Sequence, residues 1–197
     1  MNRIVLVAIF LGLGVSRLAA QSEKNDASAQ KTIVEQFLKM ETEGGRENAE
    51  GWETARKYFV HSSPFVPKKT VLLIDKDYTV WKPVTIAAGS TSVTVDIEPI
   101  GHIGPDLRFS TPTRRYYKSF MDFKLVLVNK RWERDANGVD REINEPSPRW
   151  LIDKPDDSLT LNVRAAIQYI SRQRDSTDDP IIKRNADQTI AKLKNLH

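Results

Sequence analysis

The 197-residue chain contains no cysteine, which excludes both a disulfide-stapled fold and a thiolate metal site, so an ordinary hydrophobic core must stabilise it. Thirty Lys+Arg against 26 Asp+Glu give a net charge of +4, which falls to +2 once Arg3 and Arg17 of the N-terminal segment are set aside. This near balance does not indicate a nucleic-acid partner. The three histidines have no ligand spacing, so we expect no metal site and no cofactor.

The N-terminal segment has the layout of a secretory signal peptide. A basic start, Met1–Arg3, precedes twelve mainly apolar residues, 4–15, and small residues follow. We predict a signal peptide over residues 1–20, cut after Ala20 or Ala19, and export of a bacterial protein to the periplasm or the medium. The apolar run is shorter than the roughly 20 residues that span a bilayer, so no stable membrane anchor is expected after cleavage. Retention as an uncleaved anchor is the alternative.

Two helices are predicted next. Residues 21–29 are polar and typical of a disordered leader, whereas from Gln30 onward apolar residues recur at helical spacing. Gly44–Gly45 supplies the left-handed conformation that ends helices. A second helix is predicted over residues 48–59. We expect residues 30–197 to form a single domain.

The middle of the chain alternates between apolar and polar residues, as antiparallel strands with one buried face do. The pattern is clearest over 92–98, where Val93, Val95 and Ile97 share a face. The Asn137–Gly138 pair predicts a tight hairpin turn. Strands are predicted over 70–74, 78–81, 92–98, 121–132, 139–143 and 149–153.

The C-terminal part, about residues 160–197, is predicted to be helical again. Asp179 as N-cap and Pro180 as first helical residue mark the start of a last helix. Apolar residues at helical spacing continue to Leu196, which predicts that this helix docks on the domain.

The order of two helices followed by antiparallel strands resembles the nuclear transport factor 2-like superfamily. Glu50–Phe59 is similar to the second helix of its secreted bacterial members, and Gly101–Phe109 to their long loop between strands. Residues 165–169 and 183–196 resemble their C-terminal extension. The resemblance implies an α+β fold in which two N-terminal helices and a curved antiparallel sheet form a cone-like pocket, with a C-terminal helical extension.

The resemblance also implies where a ligand would bind. Pockets are mostly apolar with a few placed polar groups, and the strands and the long loop carry such a mixture. We predict a ligand site on the concave face of the sheet, near Tyr78, Trp81, His102 and Tyr116. Aromatic side chains on predicted strands are otherwise core residues, and His102 would then lie on an exposed loop.

Catalysis is the weaker interpretation. Ketosteroid isomerases and polyketide cyclases of this superfamily use a carboxylate with a tyrosine or histidine inside the cone, where burial raises the carboxylate pKa. Asp75, Asp77 and Asp106 are available here, but none matches a specific catalytic pattern, so no catalytic residue is predicted. Residues 135–142 are rich in oxygen ligands, but the hairpin turn already accounts for them, and we expect no calcium site.

Three classes of function therefore stay open. The favoured one is a non-catalytic module of the cell envelope that binds a small molecule or an envelope protein. The second is an isomerase- or cyclase-like enzyme with an acid–base residue inside the cone. The third is a structural role in which the sheet forms a homodimer.

Overall fold

The computed structural model describes residues 26–111, 120–155 and 157–196, and this part of the chain combines four α-helices with one large mixed sheet. The helices are α1 (residues 26–42), α2 (Ala49–Ala55, continued by a 3-10 turn, Arg56–Tyr58), α3 (Val163–Asp175) and α4 (Pro180–Lys194). The strands are β1 (His61–Ser62), β2 (Val71–Val80), β3 (Val84–Ala87), β4 (Ser90–Ile103), β5 (Phe109–Ser110), β6 (Phe120–Arg134), β7 (Asp140–Ile152) and β8 (Leu159–Leu161).

The helix ends follow from local side-chain chemistry. Gly44 has a φ of 97° just after α1, as its predicted role in ending that helix requires. Asn48 caps α2 by accepting a hydrogen bond from the Gly51 N–H. Asp179 caps α4, with Pro180 as the first helical residue, which confirms the predicted start.

The first helix begins earlier than predicted. Residues 26–29, which were assigned to the leader, are helical, and the Thr32 hydroxyl donates to the Ser28 carbonyl at 2.8 Å within the helix. Residues 26–29 contain no large apolar side chain, so their sequence predicts little burial, but Ala27 and Ala29 favour helix. The predicted signal peptide and residues 21–25 lie outside the described residues. None of the helices in the described part of the chain is long and apolar enough to cross a membrane.

The sheet is mixed rather than wholly antiparallel, which corrects the sequence-based prediction. Its main order is β1-β6-β4-β2-β8, with β3 and β5 paired to β4 and β7 paired to β6. The pairs β1–β6 and β2–β8 are parallel. These added strands are two and three residues long and lie next to α2 and α3, so they have no periodicity that a sequence pattern could register.

The two faces of β2 are covered by different helices. Leu72 and Ile74 pack into a first core with α1 and α2, whereas Val71 and Leu73 pack into a second core with α3 and α4. The first core contains Val34, Phe37, Leu38, Trp52, Val93, Val95, Ile97, Phe123, Leu125 and Trp150. The second contains Leu107, Leu159, Leu161, Ala166, Tyr169, Ile170, Ala186, Ile190 and Leu193. The C-terminal helices α3 and α4 thus pack against the second face of β2.

A buried ion pair joins α1 to β8. The Arg46 Nε and Nη2 donate to the two Glu41 carboxylate oxygens at 2.8 and 2.7 Å, and both side chains are 1% exposed. Arg46 also donates to the Ser158 carbonyl at 2.9 Å, and the Thr160 N–H donates to Glu41 at 3.1 Å. This cluster links the loop after α1 to the edge of the second core.

Candidate functional site

Tyr78 lies on β2 and is half-buried against the first core. Burial raises the pKa of its phenol, and the nearby Glu35 and Glu43 carboxylates raise that pKa further. Tyr78 is therefore protonated at neutral pH and is not available there as a base.

His102 and Trp81 are separated from Tyr78. His102 is part of β4, not of a loop, because the strand extends to Ile103; it pairs with Leu72. On β4, His102 lies five positions from Ile97, which is the register partner of Tyr78. The two positions are therefore about 17 Å apart along the strand. Trp81 is 55% exposed and directly follows Val80, which is part of the first core. Because successive side chains of an extended segment point to opposite faces, Trp81 lies on the face away from the first core.

Tyr116 lies outside the described residues, so the four-residue site stays a prediction. Two grooves in the described part of the chain, of about 530 and 500 Å³, are lined by residues other than Tyr78, Trp81 and His102. The first core, packed from α1 and α2, occupies the sheet face that Tyr78 and His102 share.

The larger groove, about 530 Å³, lies between the first half of α1 and the neighbouring strands β6 and β7. We call it the α1–β7 groove. Its lining residues are Asp26, Ser28, Ala29, Thr32 and Ile33 of α1 with Leu127, Pro148, Arg149 and Trp150 of the strands. Positions 26, 29 and 33 lie on one helical face, which is why this part of α1 can form a wall.

A bulge in β7 shapes the opposite wall. Val128 pairs with Arg149 and Lys130 with Asn144, so four residues, 145–148, stand opposite Asn129 alone. Two of the four are prolines, which have no N–H to donate to a strand ladder and are confined to such irregular positions. The bulge ends at Pro148, and regular pairing resumes with Val128 opposite Arg149 and Leu127 opposite Trp150.

Arg149 is held at the rim by several partners. Its Nη2 donates to the Lys57 carbonyl at 3.1 Å and to Glu145 at 2.9 Å, and its Nε lies 2.9 Å from the other Glu145 oxygen. Glu145, whose side chain is 9% exposed, also accepts from Arg131 at 3.0 Å. The guanidinium is therefore fixed in place and its charge is balanced, while 37% of the side chain stays accessible.

Trp150, one of the residues that line the groove, has a buried donor without a partner. The side chain is largely buried in the first core, with 8% of the residue exposed, and its indole N–H has no hydrogen-bond partner among the described residues. A buried donor without an acceptor costs on the order of 1–3 kcal/mol. The Trp52 indole, in contrast, donates to the Ser63 carbonyl at 2.8 Å. Three other buried side-chain atoms among the described residues also lack a hydrogen-bond partner, Glu47 Oε2, Ser90 Oγ and Arg149 Nε, and each such atom calls for a physical reason.

The groove combines apolar walls with polar edges. Ile33, Leu127 and the Trp150 ring give it apolar walls, and Thr32 and Asp26 give it polar edges. Within the described ranges, no group of three or more His, Cys, Asp or Glu side chains is placed to hold a metal ion. The arrangement suits an apolar molecule with one hydrogen-bond acceptor.

Sequence reasoning did not find this groove. Trp150 lies on the predicted strand 149–153, but residues 26–29 were assigned to the leader. A signal was present in the helical spacing of Ala29 and Ile33 with Asp26. The pairing of this helix with the proline-containing bulge depends on tertiary packing, which periodicity does not encode.

Comparison with known proteins finds no family model that matches this chain, and no curated protein or solved structure matches it either.

Proposed function

We propose that this protein is an exported, non-catalytic binding module of the cell envelope, and that it binds a small amphipathic organic molecule in the α1–β7 groove. The observation that carries the proposal is the buried, unpartnered indole N–H of Trp150 in the groove wall. A ligand acceptor would satisfy this donor, and the surrounding low-polarity environment would strengthen that hydrogen bond.

The shape and lining of the groove support a small ligand. Its volume lies within the roughly 300–1,000 Å³ range of small-molecule sites. Leu127, the register partner of Trp150, is 41% exposed, so its rotation is the simplest way for an acceptor to reach the indole. The ligand then has an apolar body along Ile33 and Leu127 and a carbonyl or ether oxygen toward Trp150.

The family and the cellular location are part of the same proposal. Two helices before the sheet, packed on one of its faces, support a nuclear transport factor 2-like cone. The short apolar run before Ala20 supports export. N-terminal sequencing of protein from the native host tests export directly, since a secreted chain that still begins at Met1 contradicts cleavage.

Ligand binding can be tested by the four indole N–H signals in a 15N–1H NMR spectrum. The probe is 4-phenylbutan-2-one, with butylbenzene as a probe of similar shape that lacks the carbonyl. The Trp150 signal is the one that is missing from the spectrum of Trp150→Phe. The ketone should shift this signal in the direction that a new hydrogen bond to the indole N–H causes. Trp52 is an internal control, because its indole already donates to Ser63.

Two variants of α1 test the location. Ala29→Leu places bulk in the groove and should weaken ketone binding at least tenfold, whereas Lys31→Leu adds a similar side chain outside the groove lining and should leave binding unchanged. If the ketone shifts no indole signal at millimolar concentration, or if both variants bind it like the original protein, the proposal is wrong.

A homodimer through the sheet is a second candidate function. Trp81, Val84 and Phe120 are 55, 66 and 44% exposed on or next to strands β2, β3 and β6, on the side of the sheet that α1 does not cover. Exposed apolar side chains of this kind mark interaction surfaces. Sedimentation equilibrium tests it: a dimer that Val84→Ser dissociates, and that Val139→Ser on the β6–β7 turn leaves intact, supports the role.

A further inference from the structure

The outer surface of the C-terminal helix α4 carries four exposed cations, Lys183, Arg184, Lys192 and Lys194. None of the four has a salt bridge within the described residues. We call them the α4 cationic surface. The opposite side of the helix is buried, with Ala186, Ile190 and Leu193 in the second core, so the cations occupy the half that faces solvent.

The charge of the protein is unevenly distributed along the chain. Residues 163–197 hold seven Lys+Arg against four Asp+Glu, whereas residues 26–162 hold 20 against 21. Of the four acidic side chains near α4, Asp187 and Asp175 both pair with Arg174 at 2.9 Å, Asp179 caps the helix, and Asp178 has no salt bridge within the described residues. These carboxylates offset part of the positive charge, and residues 163–197 keep an excess of three positive charges.

Apolar side chains lie at both ends of this surface. Ile181 in the first turn and Leu196 just beyond the last turn are each 53% exposed. Side chains of this kind can enter the boundary between lipid headgroups and acyl chains while flanking lysines remain at the phosphates. Each lysine or arginine near an anionic membrane surface adds attraction that salt screens.

We propose that the α4 cationic surface docks the protein reversibly on an anionic phospholipid membrane. A protein partner fits this surface less well, because protein interfaces are enriched in aromatic side chains and arginine and depleted in lysine, and this surface has three lysines and no aromatic residue. The docking is peripheral and is independent of the ligand groove, which lies between α1 and the strands.

Vesicle co-sedimentation tests the proposal with the chain from Gln21, which retains every described residue. Vesicles of phosphatidylcholine and phosphatidylglycerol at 3:1 should bind the protein at low salt, and phosphatidylcholine vesicles should not. The triple variant Lys183→Gln, Lys192→Gln, Lys194→Gln should weaken binding by on the order of 100-fold, about fivefold for each lysine.

A second triple variant, Lys39→Gln, Lys69→Gln, Lys82→Gln, matches the change in net charge at exposed lysines outside the α4 surface. It should retain most of the binding, and both triple variants should melt like the original protein. Equal losses in the two variants would show a net-charge effect and overturn the proposal. Absence of binding to the anionic vesicles, or equally tight binding to polyglutamate or to duplex DNA, would also overturn it.

Discussion

Strand β2 and the outer part of the β6–β7 hairpin belong to one sheet but are stabilised in different ways. Around Val71 and Leu73 the sheet is covered on both faces, and these two side chains are completely buried. Between Leu127 and Arg149, in contrast, no residue is buried, and the hairpin is linked by ion pairs such as Lys130–Glu142 at 2.6 Å and Arg134–Asp140 at 2.8 Å. The α1–β7 groove lies at the inner end of this exposed part of the hairpin, next to Trp150 of the first core.

The difference shows that the burial of a charge pair decides how much the pair contributes to the free energy of unfolding. Exposed pairs contribute about 0–1 kcal/mol each, because water solvates the separated ions almost as well. Both side chains of the Glu41–Arg46 pair are 1% exposed, so each ion depends on the other, and Arg46 depends also on the Ser158 carbonyl just before β8. We therefore expect the two regions to respond very differently to the loss of one charge.

The largest effect should follow Glu41→Ala. It leaves the Arg46 guanidinium buried without its carboxylate and removes the acceptor of the Thr160 N–H, so the free energy of unfolding should fall by about 3–5 kcal/mol. Urea unfolding followed by circular dichroism measures this change. Glu35→Ala, which breaks the exposed Lys31–Glu35 pair on the same helix, is the control and should cost less than about 0.5 kcal/mol.

If Glu41→Ala costs no more than Glu35→Ala, the pair does not support the junction of α1 with β8. The double variant Glu41→Leu, Arg46→Met should recover much of the loss, because apolar side chains of similar size need no compensating charge.

The next largest effect is expected from a comparison of Leu161→Ala with Leu127→Ala, two substitutions that remove the same atoms. Leu161 is completely buried in the second core, and Leu161→Ala should lower the free energy of unfolding by about 2–5 kcal/mol. Leu127 is 41% exposed, and Leu127→Ala should cost less than about 1 kcal/mol. The midpoints of urea unfolding curves compare the two variants. Similar costs would mean that the hairpin is as tightly packed as the core.

The sequence predicted the elements whose pattern is local. Asn48, Gly44 and Asp179 mark helix ends through their own hydrogen bonds or φ preference, and Val93 to Ile97 alternate because one face of β4 is buried. It predicted β7 as two strands, since the bulge at Pro146 and Pro148 interrupts the alternation without ending the strand.

What the sequence did not predict depends on contacts between distant residues. The parallel partners β1 and β8 are too short to have a period, and the Trp150 donor is notable only because its packed surroundings offer no acceptor. The groove joins residues more than 90 positions apart, Ile33 and Leu127, through the docking of α1 on the sheet.

A smaller effect should appear at high pH in the second core. Burial, followed by the nearby Glu47 charge, raises the pKa of Tyr169, whose hydroxyl donates to the Lys68 carbonyl at 2.8 Å. A raised folded-state pKa gives stability that is fully present below the unfolded value of about 10 and is lost as pH rises through the folded value. Urea unfolding at pH 9 and pH 11 should therefore show a loss that is smaller in Tyr169→Phe. Equal losses in both proteins would contradict this assignment.

The smallest effect is expected in the exposed hairpin, where the Lys130–Glu142 pair can be examined by a double-mutant cycle. Both side chains are partly exposed, at 47 and 35%, so the coupling energy between Lys130→Ala and Glu142→Ala should stay below about 1 kcal/mol and shrink in 0.5 M salt. Urea unfolding of the four proteins supplies the cycle. A coupling as large as the cost of Glu41→Ala, and unaffected by salt, would mean that the hairpin excludes water, and the contrast between the two regions would then be wrong.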